Sequence, residues 1–187
     1  MIDALTLHRL LVESGTRHEI VHLARAISSA DQLPEVLRLP PTRCLAVRMY
    51  DACGVLTAVI VHAGKLPSDG ALREVTGSRQ VLPVCDDRVN AATGYVADLV
   101  APLALPDSIE VYADEDVVCG IDRDVVVYTA TGESRTALGI RLLDLFTLLD
   151  AKPAALTRPQ PDEPRHRDVS GALSQDLADH QDRRAFG

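Results

Sequence analysis

Residues 39–50 read Leu39-Pro40-Pro41-Thr42-Arg43-Cys44-Leu45-Ala46-Val47-Arg48-Met49-Tyr50, and residues 55–62 read Val55-Leu56-Thr57-Ala58-Val59-Ile60-Val61-His62. Both are rich in β-branched and aliphatic residues. Asp51-Ala52-Cys53-Gly54 separates them, a polar turn with a glycine, so the pair is expected to form a β-hairpin over Cys44–Tyr50 and Val55–His62. Side chains two apart on a strand share a face. Cys44, Ala46, Arg48 and Tyr50 should therefore line one side, with Leu45, Val47 and Met49 packing the other. Pro40-Pro41 ends whatever precedes the hairpin.

Working outward, Leu5, Leu7, Leu10, Leu11 and Val12 predict an amphipathic first helix closed near Gly15. Arg17–Leu23 follows as a short strand. Asp31 is expected to cap a helix running to about Arg38, with Pro34 in its first turn, where a missing N–H breaks no internal hydrogen bond. After the hairpin, Ser68 caps a helix that ends at Gly77. Gln80–Val84 is a short strand and Cys85–Thr93 a short helix closed by Gly94. Ser108–Tyr112, Asp124–Thr129 and Thr136–Ile140 are further strands, the last two joined through Thr131-Gly132-Glu133. Leu142–Leu149 is the final helix.

The 187 residues suit one domain with length left over. Residues 1–151 form the expected domain and 152–187 a flexible tail, because Pro153, Pro159, Pro161 and Pro164 sit there among charges and small residues. One short helix is placed near 172–180, removal of 155–187 should leave the fold intact, and a partner-binding role for the tail is the alternative to a mere extension. Aromatics make up only 3% of the chain and Trp is absent, so the core must be aliphatic.

The formal net charge is −8, and all of it belongs to the first 151 residues, since 152–187 carries six Lys/Arg and six Asp/Glu. An acidic body argues against a broad nucleic-acid footprint, because phosphate contacts dominate such binding. No stretch approaches the ~20 apolar residues that span a bilayer, and no signal peptide is recognised at the N-terminus. Four cysteines without a CxxC pair suit free thiols in a reducing, cytoplasmic compartment, explained by core packing.

Two motifs carry a resemblance. The first is the Pro-containing turn 39–45 leading into the strand at Ala46-Val47. The second is Thr93-Gly94-Tyr95-Val96-Ala97 followed by Asp98-Leu99-Val100-Ala101-Pro102. Together with the element order they resemble the YbaK-like, prolyl-tRNA synthetase-associated editing family over residues 3–150. The resemblance implies an α/β fold, a mixed, mostly antiparallel curved sheet flanked by helices. It implies a metal-independent, cofactor-free hydrolase that deacylates mischarged tRNA. In the family a lysine on the strand and the backbone of a GxxxP loop hold the ester and the tRNA 3′ end while water attacks the carbonyl. Here the lysine position is Ala46 and the GxxxP glycine is Asp98, with Pro102 retained. The pocket residues implied are Thr93, Gly94, Tyr95, Asp98, Ala101 and Pro102, and the ligand is a tRNA 3′ end or an aminoacyl or nucleotide group.

Lysine is scarce: only Lys65 and Lys152 occur. Arg48, two residues along the same face as Ala46, is the candidate substitute cation. It can bind an anion but cannot act as a base. The plainer reading pairs it with an acidic neighbour. Lys65, in a loop, reads as solvent-exposed. His18-Glu19-Ile20-Val21-His22 matches the HExxH pattern of zinc hydrolases. As a strand, however, it would hold its histidines about 13 Å apart. Asp114, Glu115, Asp116, Asp122 and Asp124 read as a solvated face rather than a Ca²⁺ or Mg²⁺ site. Three readings stay open: an editing hydrolase with a modified site, a non-catalytic family member binding a ligand in the same pocket, and a zinc hydrolase.

Overall fold

The computed structural model describes residues 1–157. Six α-helices and eight strands follow in the order α1 (Ala4–Glu13), β1 (His18–His22), α2 (Leu33–Leu37), β2 (Leu45–Ala52), β3 (Val55–His62), α3 (Asp69–Thr76), β4 (Val81–Pro83), α4 (Asp86–Thr93), β5 (Glu110–Asp114), α5 (Glu115–Cys119), β6 (Val126–Ala130), β7 (Thr136–Arg141), α6 (Leu142–Leu148) and β8 (Lys152–Ala154). The strands form two sheets, ordered β1-β7-β6 and β4-β2-β3-β5-β8. A parallel bridge from Cys44 to Tyr128 ties one to the other. Antiparallel pairing joins β1–β7, β6–β7, β2–β3 and β2–β4, and parallel pairing joins β3–β5 and β5–β8. The expected mixed, mostly antiparallel α/β architecture is present.

The β2–β3 hairpin has the predicted faces, and both are buried. Leu45, Val47, Met49, Ala58 and Ile60 pack with Leu7, Leu11, Val100 and Leu138 on one side. Cys44, Ala46, Tyr50, Val59 and Val61 pack with Ile27, Leu33, Leu99 and Leu156 on the other. The turn is Cys53-Gly54, both at positive φ (54° and 98°), the geometry that matches strand twist in a two-residue hairpin. Ser68 caps α3 by accepting from the Ala71 N–H, as expected, and Gly77 ends it in the left-handed region.

Several expectations need correcting. Asp31 is not a cap: Ser29 caps the 3-10 turn Ala30–Gln32, and α2 starts only at Leu33. The carboxylate of Asp31 is instead taken by Arg48 and by the Gly64 N–H. Asp114 is not on a solvated face. It is 2% exposed, and its carboxylate accepts from the N–H groups of Leu156 and Thr157 and from the Thr157 hydroxyl. Only Cys44 of the four cysteines is buried, so core packing does not explain Cys53, Cys85 and Cys119. Neither α5 nor β8 is foreseen.

The strand β8 and the fully buried Leu156 belong to the body, where the sequence suggests a tail. The helix expected at 172–180 lies outside the described residues. Ending the chain after Ala154 removes Leu156, worth about 1.5–3 kcal/mol of burial, and strips Asp114 of its donors. Such a chain should melt at least ~5 °C below one ended after Thr157, given ~2–4 °C per kcal/mol at this size. Equal melting temperatures would contradict the anchoring role of Leu156.

His62, at the end of β3, is 8% exposed. Its Nε2 reaches the Asp116 carbonyl at 3.4 Å, and its Nδ1 has no partner among the described residues. Burial holds its pKa below the ordinary 6.5, outweighing the Asp116 carbonyl and the Asp114 and Asp116 carboxylates. The unfolded chain therefore binds a proton at a pH where the folded chain does not. Stability should fall as pH drops from 6.5 toward the folded-state pKa, at no more than ~1.4 kcal/mol per pH unit. His62→Gln should flatten that slope in denaturant titrations between pH 7 and pH 5. An unchanged slope would assign it to other groups.

Candidate functional site

Three loops converge on the Ala46 face of the large sheet. The Ala30 N–H donates to the Asp98 carbonyl at 2.9 Å, the Ile27 N–H to the Ser134 carbonyl at 2.8 Å, and the Gly132 N–H to the Leu99 carbonyl at 2.8 Å. Segments 27–33, 94–103 and 131–135 thus meet over β2, which brings the two sequence motifs together.

Ala46 itself is 0% exposed. It pairs across the hairpin with Val61 and shares a buried apolar cluster with Leu33, Val59 and Leu99. Arg48, two residues on, keeps 14% of its side chain exposed and grips both carboxylate oxygens of Asp31 through one nitrogen, at 2.5 and 2.6 Å. Asp31 also accepts from Gly64 at 2.7 Å. Burial raises the Asp31 carboxyl, but Arg48 and the Gly64 amide outweigh it and hold the group below the ordinary carboxylate range. The Arg48 Nε is buried without a partner among the described residues. The plainer reading of Arg48, a strand arginine paired with an acid, is what the geometry shows. The acid is Asp31, which the sequence disguised as a helix cap. Cys44 and Tyr50, its neighbours on the same face, are both raised by burial, the Cys44 thiol to about 11. Neither is an accessible nucleophile at neutral pH.

The second motif is split between scaffold and surface. The Thr93 hydroxyl donates to the Val89 carbonyl and accepts from the Tyr95 N–H. Gly94 ends α4 at φ 74°, and its carbonyl takes the Ile2 N–H at 2.7 Å. Tyr95 is 1% exposed and donates to the Leu103 carbonyl at 2.7 Å, and burial pushes its phenol up. Ala101 and Pro102 are buried. These five build the loop from inside. Asp98 is the exposed member, with φ 60° in the left-handed region where glycine is the natural occupant. An aspartate thus holds a left-handed backbone bend at the start of Asp98–Pro102, a conformation it tolerates better than most residues.

Lys65 lies in the loop after β3, exposed, as expected. His18 and His22 lie in β1, so they do not share a helical face. Two concavities are formed elsewhere. One of about 450 Å³ lies between Asp51, Cys53, Leu82, Cys85 and Arg88, and one of about 230 Å³ between Val118, Leu142, Phe146 and Pro153. Neither includes Ala46, Arg48 or Asp98. Among the described residues no helix is long and apolar enough to cross a membrane.

The fold is shared with solved structures. A hypothetical protein superposes with TM-score 0.71 at 18% identity, covering 81% of this chain and 99% of its own. A proposed trans-editing enzyme for prolyl tRNA synthetase gives TM-score 0.66 at 18% identity, over 76% of this chain and 87% of that one. A Marinobacter aquaeolei VT8 protein proposed to act in signal transduction gives 0.57 at 14%, over 82% of this chain and 30% of its own. At such identities the likeness shows the fold alone. No curated protein matches the sequence. The model of the aminoacyl-tRNA editing domain matches residues 24–148, a span that holds the β2 strand, the Thr93–Pro102 loop and the three converging segments. With two thirds of its length under that one description, the chain belongs to the aminoacyl-tRNA editing domain family.

Proposed function

We propose that this protein recognises the aminoacyl end of tRNA as its family does, and hydrolyses the ester far more slowly than a lysine-bearing relative. The observation that carries this reading is Ala46, fully buried among aliphatic side chains at the position where the resemblance puts the family's ammonium. Electrostatic groups aimed at the developing oxyanion are the main catalytic resource of such a site. The nearest cation on that face, Arg48, already has its charge met by Asp31. Asp98 adds an exposed carboxylate where the tRNA phosphates and the developing oxyanion are expected to approach. What remains is a fold and a loop able to position a ligand, without the group that would speed its hydrolysis.

A panel of mischarged tRNAs assayed beside a lysine-bearing relative tests this. Hydrolysis should run ~10²–10³-fold below the relative. A 3′-aminoacylamino-adenosine, which cannot be hydrolysed, should still bind. Hydrolysis at the relative's rate would overturn the slow-enzyme reading. Loss of that activity in Arg48→Ala, with the fold intact, would then name Arg48 as the replacement cation. Failure of the analogue to bind would reject recognition of the aminoacyl end.

A further inference from the structure

Core packing accounts for Cys44 alone, and two of the three exposed thiols share one concavity. Cys53 and Cys85 both line the trough of about 450 Å³ at the β4 edge of the large sheet. That volume lies in the range of small-molecule sites, about 300–1,000 Å³. Asp51 pairs with Leu82 across β2 and β4, so the two side chains share a face and floor the trough. Cys53 closes one end, where its thiol donates to the Gln80 carbonyl at 3.5 Å. Cys85 stands at the other end, immediately before α4. The extended run from Gln80 to Cys85 sets the two cysteines roughly 15 Å apart, beyond the ~7 Å Cα limit of a disulfide. They do not oxidise to one another, and each stays open to an outside reagent.

The two ends differ in chemistry. The Cys53 thiol is engaged with Gln80, whereas the Cys85 side chain makes no capping hydrogen bond. Arg88, three residues on, lies on the same side of α4 as Cys85. One terminal nitrogen of Arg88 donates to Asp51 Oδ2, and the Gly54 N–H donates to Asp51 Oδ1. The Arg88 side chain is 45% exposed, so the fork of its guanidinium keeps donors for a second anion. Leu82, Pro83 and Val84 supply an apolar wall between the two ends. A thiol, a guanidinium one turn away and an apolar wall thus face one space.

We propose that this trough is a thiolation site, in which Cys85 exchanges with a small carboxylate-bearing disulfide while Arg88 holds the carboxylate. It does not depend on the editing reading. The Cys85 thiol gives its proton to solvent, and the thiolate attacks one sulfur of the ligand. The ligand's S–S bond breaks as the bond from Cys85 to that sulfur forms. The other half leaves as a thiolate and takes up one proton. The ligand disulfide is itself the oxidant, so the step needs no other. The half that stays lies along Leu82 and Val84 with its carboxylate on Arg88.

The test incubates the full chain with oxidised glutathione, which carries carboxylates, and separately with the neutral bis(2-hydroxyethyl) disulfide. Intact mass and peptide mapping give the rate at each thiol. Cys85 should take up the first glutathione, ahead of Cys53 and of Cys119, which is exposed outside the trough. Arg88→Ala should slow the glutathione reaction at Cys85 about fivefold, the scale of one part-exposed carboxylate–guanidinium contact, and leave the neutral reagent within about twofold. Asp51→Asn, which frees the guanidinium, should speed the glutathione reaction by about twofold or more. Cys119 should respond to neither substitution, and buried Cys44 should stay unmodified as long as each variant is folded. First reaction at Cys53 or Cys119, or equal slowing of both disulfides by Arg88→Ala, would overturn the site.

Discussion

Gly132→Ala should lower stability by about 2–6 kcal/mol. Gly132 sits at φ 89°, a conformation that side-chain-bearing residues rarely adopt. Holding one there costs about 1–3 kcal/mol. A Cβ would also stand 2.4 Å from the Ile2 carbonyl oxygen and 2.9 Å from the Tyr95 Cδ1. The carbonyl is backbone and cannot swing away. Tyr95 is 1% exposed and its hydroxyl is tied to Leu103, so it cannot retreat either. Overpacking of this kind adds about 1–3 kcal/mol. At ~2–4 °C per kcal/mol the melting temperature should fall by roughly 4–24 °C. Gly139 is an instructive control. Its added Cβ would meet the Glu19 side chain at 2.7 Å and the Tyr128 ring at 2.8 Å, but its φ is not in the left-handed range. Glu19 is exposed and can move, so Gly139→Ala should cost less than Gly132→Ala. The reverse order in thermal unfolding would mean that the junction of Ile2, Tyr95 and Leu99 is softer than its hydrogen bonds suggest.

Gly132 also marks where the sequence stopped being legible. Thr131-Gly132-Glu133 was readable as a turn between two strands, and it is one. That its glycine is pressed by a residue 130 positions upstream has no local signature. The same division runs through the molecule. The hairpin, its turn and its two faces followed from alternation and from Cys53-Gly54. The α3 helix followed from Ser68 and Gly77. In contrast, Asp31 looks like a cap because caps and ion-pair partners use the same residue type. Only folding shows Arg48 arriving from β2 to claim it. Asp114 looks solvated because it sits among four other acids, yet it alone turns inward to hold Leu156 and Thr157. Ala154-Ala155-Leu156 is too short and too near prolines to announce a buried end. The candidate site divides the same way. Its two motifs were visible and their convergence is real. The burial of Ala46 depends on Leu33 and Leu99 from distant segments.

That burial sets the expected outcome of placing a lysine at position 46, where the resemblance puts the family's. Ala46→Lys should fail to raise hydrolysis and should destabilise the fold strongly at neutral pH. The position is 0% exposed, so the ammonium must lose its water among Leu33, Val59, Val61 and Leu99, or displace Arg48 from Asp31. Full burial lowers a lysine pKa by as much as 3–5 units. Each unit is worth ~1.4 kcal/mol, so the charge alone can cost roughly 4–7 kcal/mol, a large share of a domain's total stability. The sign of the pH dependence follows. With the folded-state pKa depressed below the unfolded value near 10.4, the unfolded chain binds more protons between the two. Stability should therefore recover as pH rises through that window. Ala46→Met separates charge from volume: it should cost only the overpacking, about 1–3 kcal/mol, with no such recovery. Adding Asp98→Gly removes the exposed carboxylate and relaxes a residue at φ 60°, so it should regain part of the lost stability without supplying a path for the ammonium to water. If Ala46→Lys instead melts like the parent and hydrolyses a mischarged tRNA faster than the parent does, position 46 opens onto the substrate and the apolar packing around Ala46 does not seal it.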